Sequence, residues 1–81
     1  MATERFWYHE RIIVDPTILG GKPVVKGTRI PAELVLKRLA QDLDLKALLE
    51  AYPRLTPDDV RACLAYTEAL VEGEEVYLTA V

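Results

Sequence analysis

The hydrophobic pattern of the chain changes character near its thirtieth residue. Before that point the apolar residues come in short β-branched runs broken by turn formers, and after it they recur three and four apart. "RIIVD", Arg11 to Asp15, is such a run, closed by Asp15-Pro16, and it predicts a strand ending in a turn. "PVV" and "TRI" follow as short extended segments on either side of Lys26-Gly27, where Gly27 supplies the positive φ that a tight reversal needs. From Pro31, read as the first helical position, Leu34, Val35, Arg38, Leu39 and Asp42 keep helical spacing, with Glu33, Lys37 and Gln41 to one side. Asp44 caps a second helix, "LKALLEAY", whose Leu45, Leu48, Leu49 and Tyr52 share a face and which Pro53 stops. The third helix starts with Thr56 as N-cap, Pro57 behind it, and Asp59 in the position of a capping-box partner. Its apolar positions are Val60, Cys63, Leu64, Thr67, Leu70 and Val71, up to Gly73 as the residue beyond the cap. The tail from Glu74 alternates Val76, Leu78 and Ala80 with Tyr77, Thr79 and Val81 and reads as a final strand or as a segment that orders on a partner.

These elements describe a single domain over residues 1–81, α+β and mainly helical. A β element and glycine-rich loop occupy residues 11–30, a three-helix, helix-turn-helix-like unit residues 31–72, and a tail residues 73–81. With 81 residues the chain has room for one small core and little for an enclosed substrate cavity, so no small-molecule substrate is expected. No apolar run reaches the roughly 18 residues that span a bilayer, and charged residues interrupt the first segment where a signal sequence would be apolar; the expectation is a cytoplasmic protein with no membrane association. The single Cys63 excludes an internal disulfide and a cysteine-based zinc cage, and its place in an apolar helical pattern reads as buried filler.

The net charge of −3 conceals an asymmetry. Residues 1–38 carry seven Lys and Arg against four acids, and residues 39–81 carry three against nine, so a polyanion would meet the N-terminal half first. The segment "GGKPVVKGTRIP" concentrates that basic charge, yet it is not a phosphate loop: Pro23 follows Gly21-Lys22, removing the hydroxyl that would hold magnesium and an amide donor. Catalysis is not expected either. The chain has no serine, its only histidine is His9, and its acids fall at helix starts and on polar faces, where capping and solvation explain them. No cofactor and no metal follow from these residues.

What remains is binding. Lys22, Lys26, Arg29, Arg54 and Arg61 are candidate nucleic-acid contacts; weak, salt-sensitive phosphate contact through the first four is expected rather than base readout by the third helix, which Arg61 would report. The second and third helices have the order of a helix-turn-helix, but Asp58 and Asp59 stand at the end of the helix that would approach the bases. Phe6, Trp7 and Tyr8 cannot all face one core from an extended chain, so they read as a homodimer contact or as a lid over the chain's own core. Glu74, Glu75, Val76, Tyr77 and Leu78 combine carboxylates with an apolar anchor and read as a partner-binding segment or as a strand of the chain's own sheet.

The ordered set "IIVDP", "GGKPVVKGTRIP", "LLEAYPRLTPDDV" and "CLAYTEAL" resembles the small prokaryotic proteins of the domain-of-unknown-function family 433, over about residues 11 to 72. The resemblance implies a three-helix, winged-helix-like domain and the role of an antitoxin that binds a PIN-like toxin and its own operator DNA. A helix-turn-helix transcriptional regulator without a toxin, and a homo-oligomeric interaction module, stand as the alternatives. This chain departs from the family in "AQDLDL", Ala40 to Leu45, which lacks the usual glycine between the first two helices; Asp42 is expected to take that left-handed position.

Overall fold

The computed structural model describes residues 8–73 together with 79–80, and shows the expected α+β, mainly helical fold. Strand β1, Ile12–Val14, pairs antiparallel with β2, Pro23–Val25, in the register Ile12 to Val25, Ile13 to Val24 and Val14 to Pro23. Three helices follow: α1, Ala32–Gln41; α2, Leu45–Ala51; and α3, Pro57–Val71. The short strand β3, Thr79–Ala80, returns to lie parallel to β1, giving the sheet order β2-β1-β3. This backbone pairing makes the end of the tail part of the chain's own sheet. The candidate partner residues Phe6, Trp7, Glu74, Glu75, Val76, Tyr77 and Leu78 lie outside the described residues.

Local chemistry sets the turns. Asp15 Oδ1 accepts from the amide and hydroxyl of Thr17 at 2.9 and 2.7 Å, reversing the chain after β1. Past β2, the Thr28 amide donates to the Val25 carbonyl at 3.0 Å across a turn with Gly27 at φ 81°, the left-handed third position that a type II turn requires. "TRI" is less extended than its composition predicts: Thr28 and Arg29 belong to this turn, and ladder contact resumes only as a bridge between Pro31 and Val24. The loop between the strands holds Leu19, Gly20 and Gly21 in succession at positive φ, and Leu19 has no sequence signal for it.

The helix starts follow their caps. Asp44 Oδ1 accepts from the Ala47 amide at 3.0 Å, and Thr56 Oγ1 from the Asp59 amide at 3.1 Å. Asp59 Oδ2 accepts in turn from the Thr56 amide at 3.0 Å, so the shorter acid completes the capping box. Pro31 is the N-cap of α1 rather than its first helical residue, which costs nothing because proline has no amide to satisfy there. Asp42 is not left-handed. It leaves α1 at φ −151° and ψ 102°, an extended exit, and the adjoining residues through Asp44 bridge to α2 without a glycine-type reversal.

One core joins all layers. Ile12 and Val25 from the sheet pack with Ala32 and Val35 of α1, Leu48 of α2, Leu55, and Val60, Ala62 and Cys63 of α3. Tyr8 closes against Tyr66 of α3 with ring centroids 5.8 Å apart in an edge-to-face contact, so this aromatic covers the chain's own core. Arg38 stacks over the Tyr52 ring at 5.6 Å and ties α1 to the end of α2. The apolar set expected for α3 is only half right. Val60 and Cys63 are buried, but the inward face also takes Asp59, Ala62 and Ala69, while Leu64, Leu70 and Val71 are exposed. The inward face thus combines small side chains with the larger Val60 and Tyr66, packed against the rest of the core.

Candidate interaction surface

The strands alternate faces, so Ile12 and Val25 point to the helices while Ile13 and Val24 point the other way. Over that outer face a groove of about 460 Å³ is lined by Ile13, Ile18, Gly27, Thr28, Arg29 and Arg54. Arg29 enters from the turn after β2. Arg54 comes from the connection between α2 and α3 and donates from Nη2 to the Gly27 carbonyl at 3.3 Å, which pins its guanidinium beside the turn. The turn is itself held: Thr28 Oγ1 donates to the Val25 carbonyl at 2.8 Å and accepts from the Ile30 amide at 3.0 Å. Both arginines are exposed, above an apolar floor. Asp15 lies near enough for Arg29 to add to the effect of the Thr17 hydroxyl and amide, which together hold its carboxyl below the usual carboxylate range.

The other basic candidates lie elsewhere. Lys22 Nζ reaches the Glu33 carboxylate at 3.4 Å, an exposed pair that links the glycine-rich loop to α1. Lys26 lines a smaller groove of about 240 Å³ with Glu10, Arg11 and Asp59. Arg61 pairs with Asp58 one turn earlier on α3, at 3.6 Å. The basic residues that the sequence groups as one rim are therefore divided, and of these five Arg29 and Arg54 line one groove together. Sequence reasoning named both arginines but not their apolar floor of Ile13 and Ile18, and no spacing rule joins residues this far apart.

A second arrangement was not legible in the sequence at all. Arg11, at the foot of β1, donates from Nη1 to Asp59 Oδ1 at 3.1 Å and lies 3.7 Å from Asp58 through Nη2. Asp59 is buried, and each of its carboxylate oxygens already accepts, Oδ2 from the Thr56 amide and Oδ1 from Arg11. The carboxylates at the start of α3 are consequently structural, and this end of the helix carries as much positive as negative charge. Cys63 is buried within the core and burial, reinforced by Asp59, pushes its thiol up to about 12, so it is unsuited to nucleophilic work at neutral pH. Among the described residues no group of three His, Cys, Asp or Glu side chains is placed to hold a metal ion, and no helix is long and apolar enough to cross a membrane.

Comparison with known proteins covers most of this architecture. The profile of a family described as "Protein of unknown function (DUF433)" matches residues 12–67, a segment that includes every residue lining the Arg29–Arg54 groove. The chain is 40% identical over 60 residues to the uncharacterized protein y4eO of Sinorhizobium fredii, an alignment spanning 74% of this chain and 27% of that protein. It is also 58% identical over 24 residues to an uncharacterized protein of Archaeoglobus fulgidus, covering 30% of this chain and 67% of that one. The chain thus spans about a quarter of the length of y4eO, where the matching segment is part of a longer polypeptide. No solved structure matches it.

Proposed function

The chain belongs to the DUF433 family, and from that premise we propose that it is a non-enzymatic binding module, the antitoxin of a toxin–antitoxin pair, which holds a PIN-like toxin through the Arg29–Arg54 groove. The groove carries this reading. Its two guanidiniums are suited to carboxylates, which arginine binds in a planar two-point contact, and its Ile13 and Ile18 floor is suited to an apolar side chain beside them. A metal-dependent nuclease must gather carboxylates at its active centre, so such a toxin offers the complementary charge. A DNA backbone matches the arginines but gives the apolar floor nothing to bury.

The alternative of a helix-turn-helix regulator draws support from the α2–α3 order and from Arg61 on α3. It is the weaker reading, because Asp58 and Asp59 stand at the helix end that would enter the groove of DNA and are committed to Arg11. The two readings separate in one experiment. The chain is co-expressed with the product of the adjacent reading frame, and partner capture is measured beside the mobility shift of a duplex from the upstream region. Arg29→Ala with Arg54→Ala is expected to weaken partner capture at least tenfold. No partner capture by the wild-type chain, together with a strong DNA shift that is lost on Arg61→Ala, would instead establish the regulator.

A further inference from the structure

Helix α3 presents two unlike faces. Its inward side is made of Val60, Ala62, Cys63, Tyr66 and Ala69, and on its outward side Leu64 is 49% and Val71 81% exposed. Arg61, Leu64, Glu68 and Val71 follow one another at spacings of three and four, so they form a single stripe along that outward side. All four are exposed. Isolated surface leucines need no explanation, but an apolar pair alternating with one positive and one negative residue in a fixed order has a specific geometric property. Reversed in direction and laid against itself, the stripe matches its own charges.

We propose that two copies of the chain associate through this outer face of α3, antiparallel about a two-fold axis beside Leu64, with Arg61 of each copy facing Glu68 of the other. Arg61 and Glu68 are seven residues apart, about 10.5 Å along the helix at 1.5 Å per residue, and Leu64 lies between them. An antiparallel pairing centred there brings the two leucines together across the axis and sets one Arg–Glu pair on each side. A parallel pairing would set Arg61 against Arg61 and Glu68 against Glu68, so charge selects the two-fold, isologous form. The intrachain contact of Arg61 with Asp58, at 3.6 Å, is compatible with a second carboxylate on the same guanidinium, whose donors form a fork. The site is on the opposite side of α3 from Tyr8 and the sheet, so this association is independent of what the Arg29–Arg54 groove binds.

Sedimentation equilibrium of the whole chain at tens of micromolar and physiological salt tests the proposal, with circular dichroism confirming that each variant is folded. The wild-type chain is expected at twice the monomer mass. Leu64→Glu, Arg61→Glu and Glu68→Arg are each expected to weaken association at least tenfold, and the double exchange R61E with E68R to recover it to within about threefold, because both cross-axis pairs are then reversed together. Leu64→Cys provides a second measurement: under mild oxidation it is expected to trap a disulfide-linked dimer, whereas Lys37→Cys on the polar face of α1 is not. A wild-type monomer, a dimer indifferent to all three single substitutions, or equal trapping at positions 64 and 37 would each overturn the interface.

Discussion

Asp59 shows how one short side chain can hold two levels of structure. Its carboxylate accepts from the Thr56 amide at 3.0 Å and from Arg11 at 3.1 Å while being almost fully buried. Asp59→Ala removes a helix cap and a charge-assisted bond together, and a loss of about 2 kcal/mol in urea unfolding is expected. Arg61→Ala, which breaks the exposed pair with Asp58, should cost less than about 0.5 kcal/mol in the same experiment. Cys63 makes a prediction at the alkaline end. Its thiol is pushed up from 9.0 to about 12 in the folded chain, so below pH 9 both states are protonated and stability is unaffected. As pH rises from 9 towards 12 the unfolded chain releases that proton first, and stability falls. Denaturant midpoints at pH 8 and pH 10.5 should therefore converge in Cys63→Ala relative to the wild-type chain. Tyr66, raised by burial and by Tyr8, contributes with the same sign in both proteins and does not obscure the difference.

At the scale of elements, the turn after β2 is where conformation and function meet. Gly27 is at φ 81°, and a Cβ built there meets nothing within 4 Å. Any cost of Gly27→Ala therefore lies in the backbone alone, about 1 kcal/mol, and Gly27→Asn should cost less than half of that because asparagine tolerates the left-handed region. Thermal melts of the two variants check the order; equal losses would mean that something other than φ is at issue. The same substitution reaches the candidate site, since the Gly27 carbonyl is the anchor of Arg54. A turn that relaxes to negative φ turns that carbonyl away, and partner capture by Gly27→Ala should fall further than its stability.

The described part of the molecule is closed by its first and last segments. Tyr8 packs on Tyr66 of α3 and Thr79–Ala80 pairs parallel to β1, so the first and last described segments both close on the body of the fold. Truncation after Leu78 removes the backbone partners of Ile13 and Val14. The expected cost is about 1 kcal/mol, a fall of roughly 4–8 °C in the thermal midpoint for a domain of this size. Truncation after Gly73 also removes the acidic Glu74 and Glu75. If the longer truncation abolishes partner capture while the shorter one only lowers the midpoint, the acidic segment is a contact in its own right. If both retain capture, the tail serves the sheet alone.

What the sequence determined by itself was mostly what has its cause within about four residues. The caps of α2 and α3 and the left-handed Gly27 and Gly73 were legible because each is decided by hydrogen bonds or steric limits among near neighbours, and the strand at Ile12–Val14 was legible from its β-branched run, though not its partners. The family resemblance was legible in the same way, as an ordered string of those local signals. Tertiary structure alone decided which face of α3 turns inward, since periodicity finds a stripe but not the closeness of the element it meets; here small residues won the interior and left Leu64 and Val71 outside. Asp42 took an extended exit at φ −151° in place of the left-handed one that the missing glycine suggested. Arg11 found Asp59 across 48 positions and Arg54 found Gly27 across 27, pairings that exist only once the core has set the strands against the helices. The candidate groove belongs to that second class: its charges could be read one by one, but an interaction surface needs them on one face, and only packing puts them there.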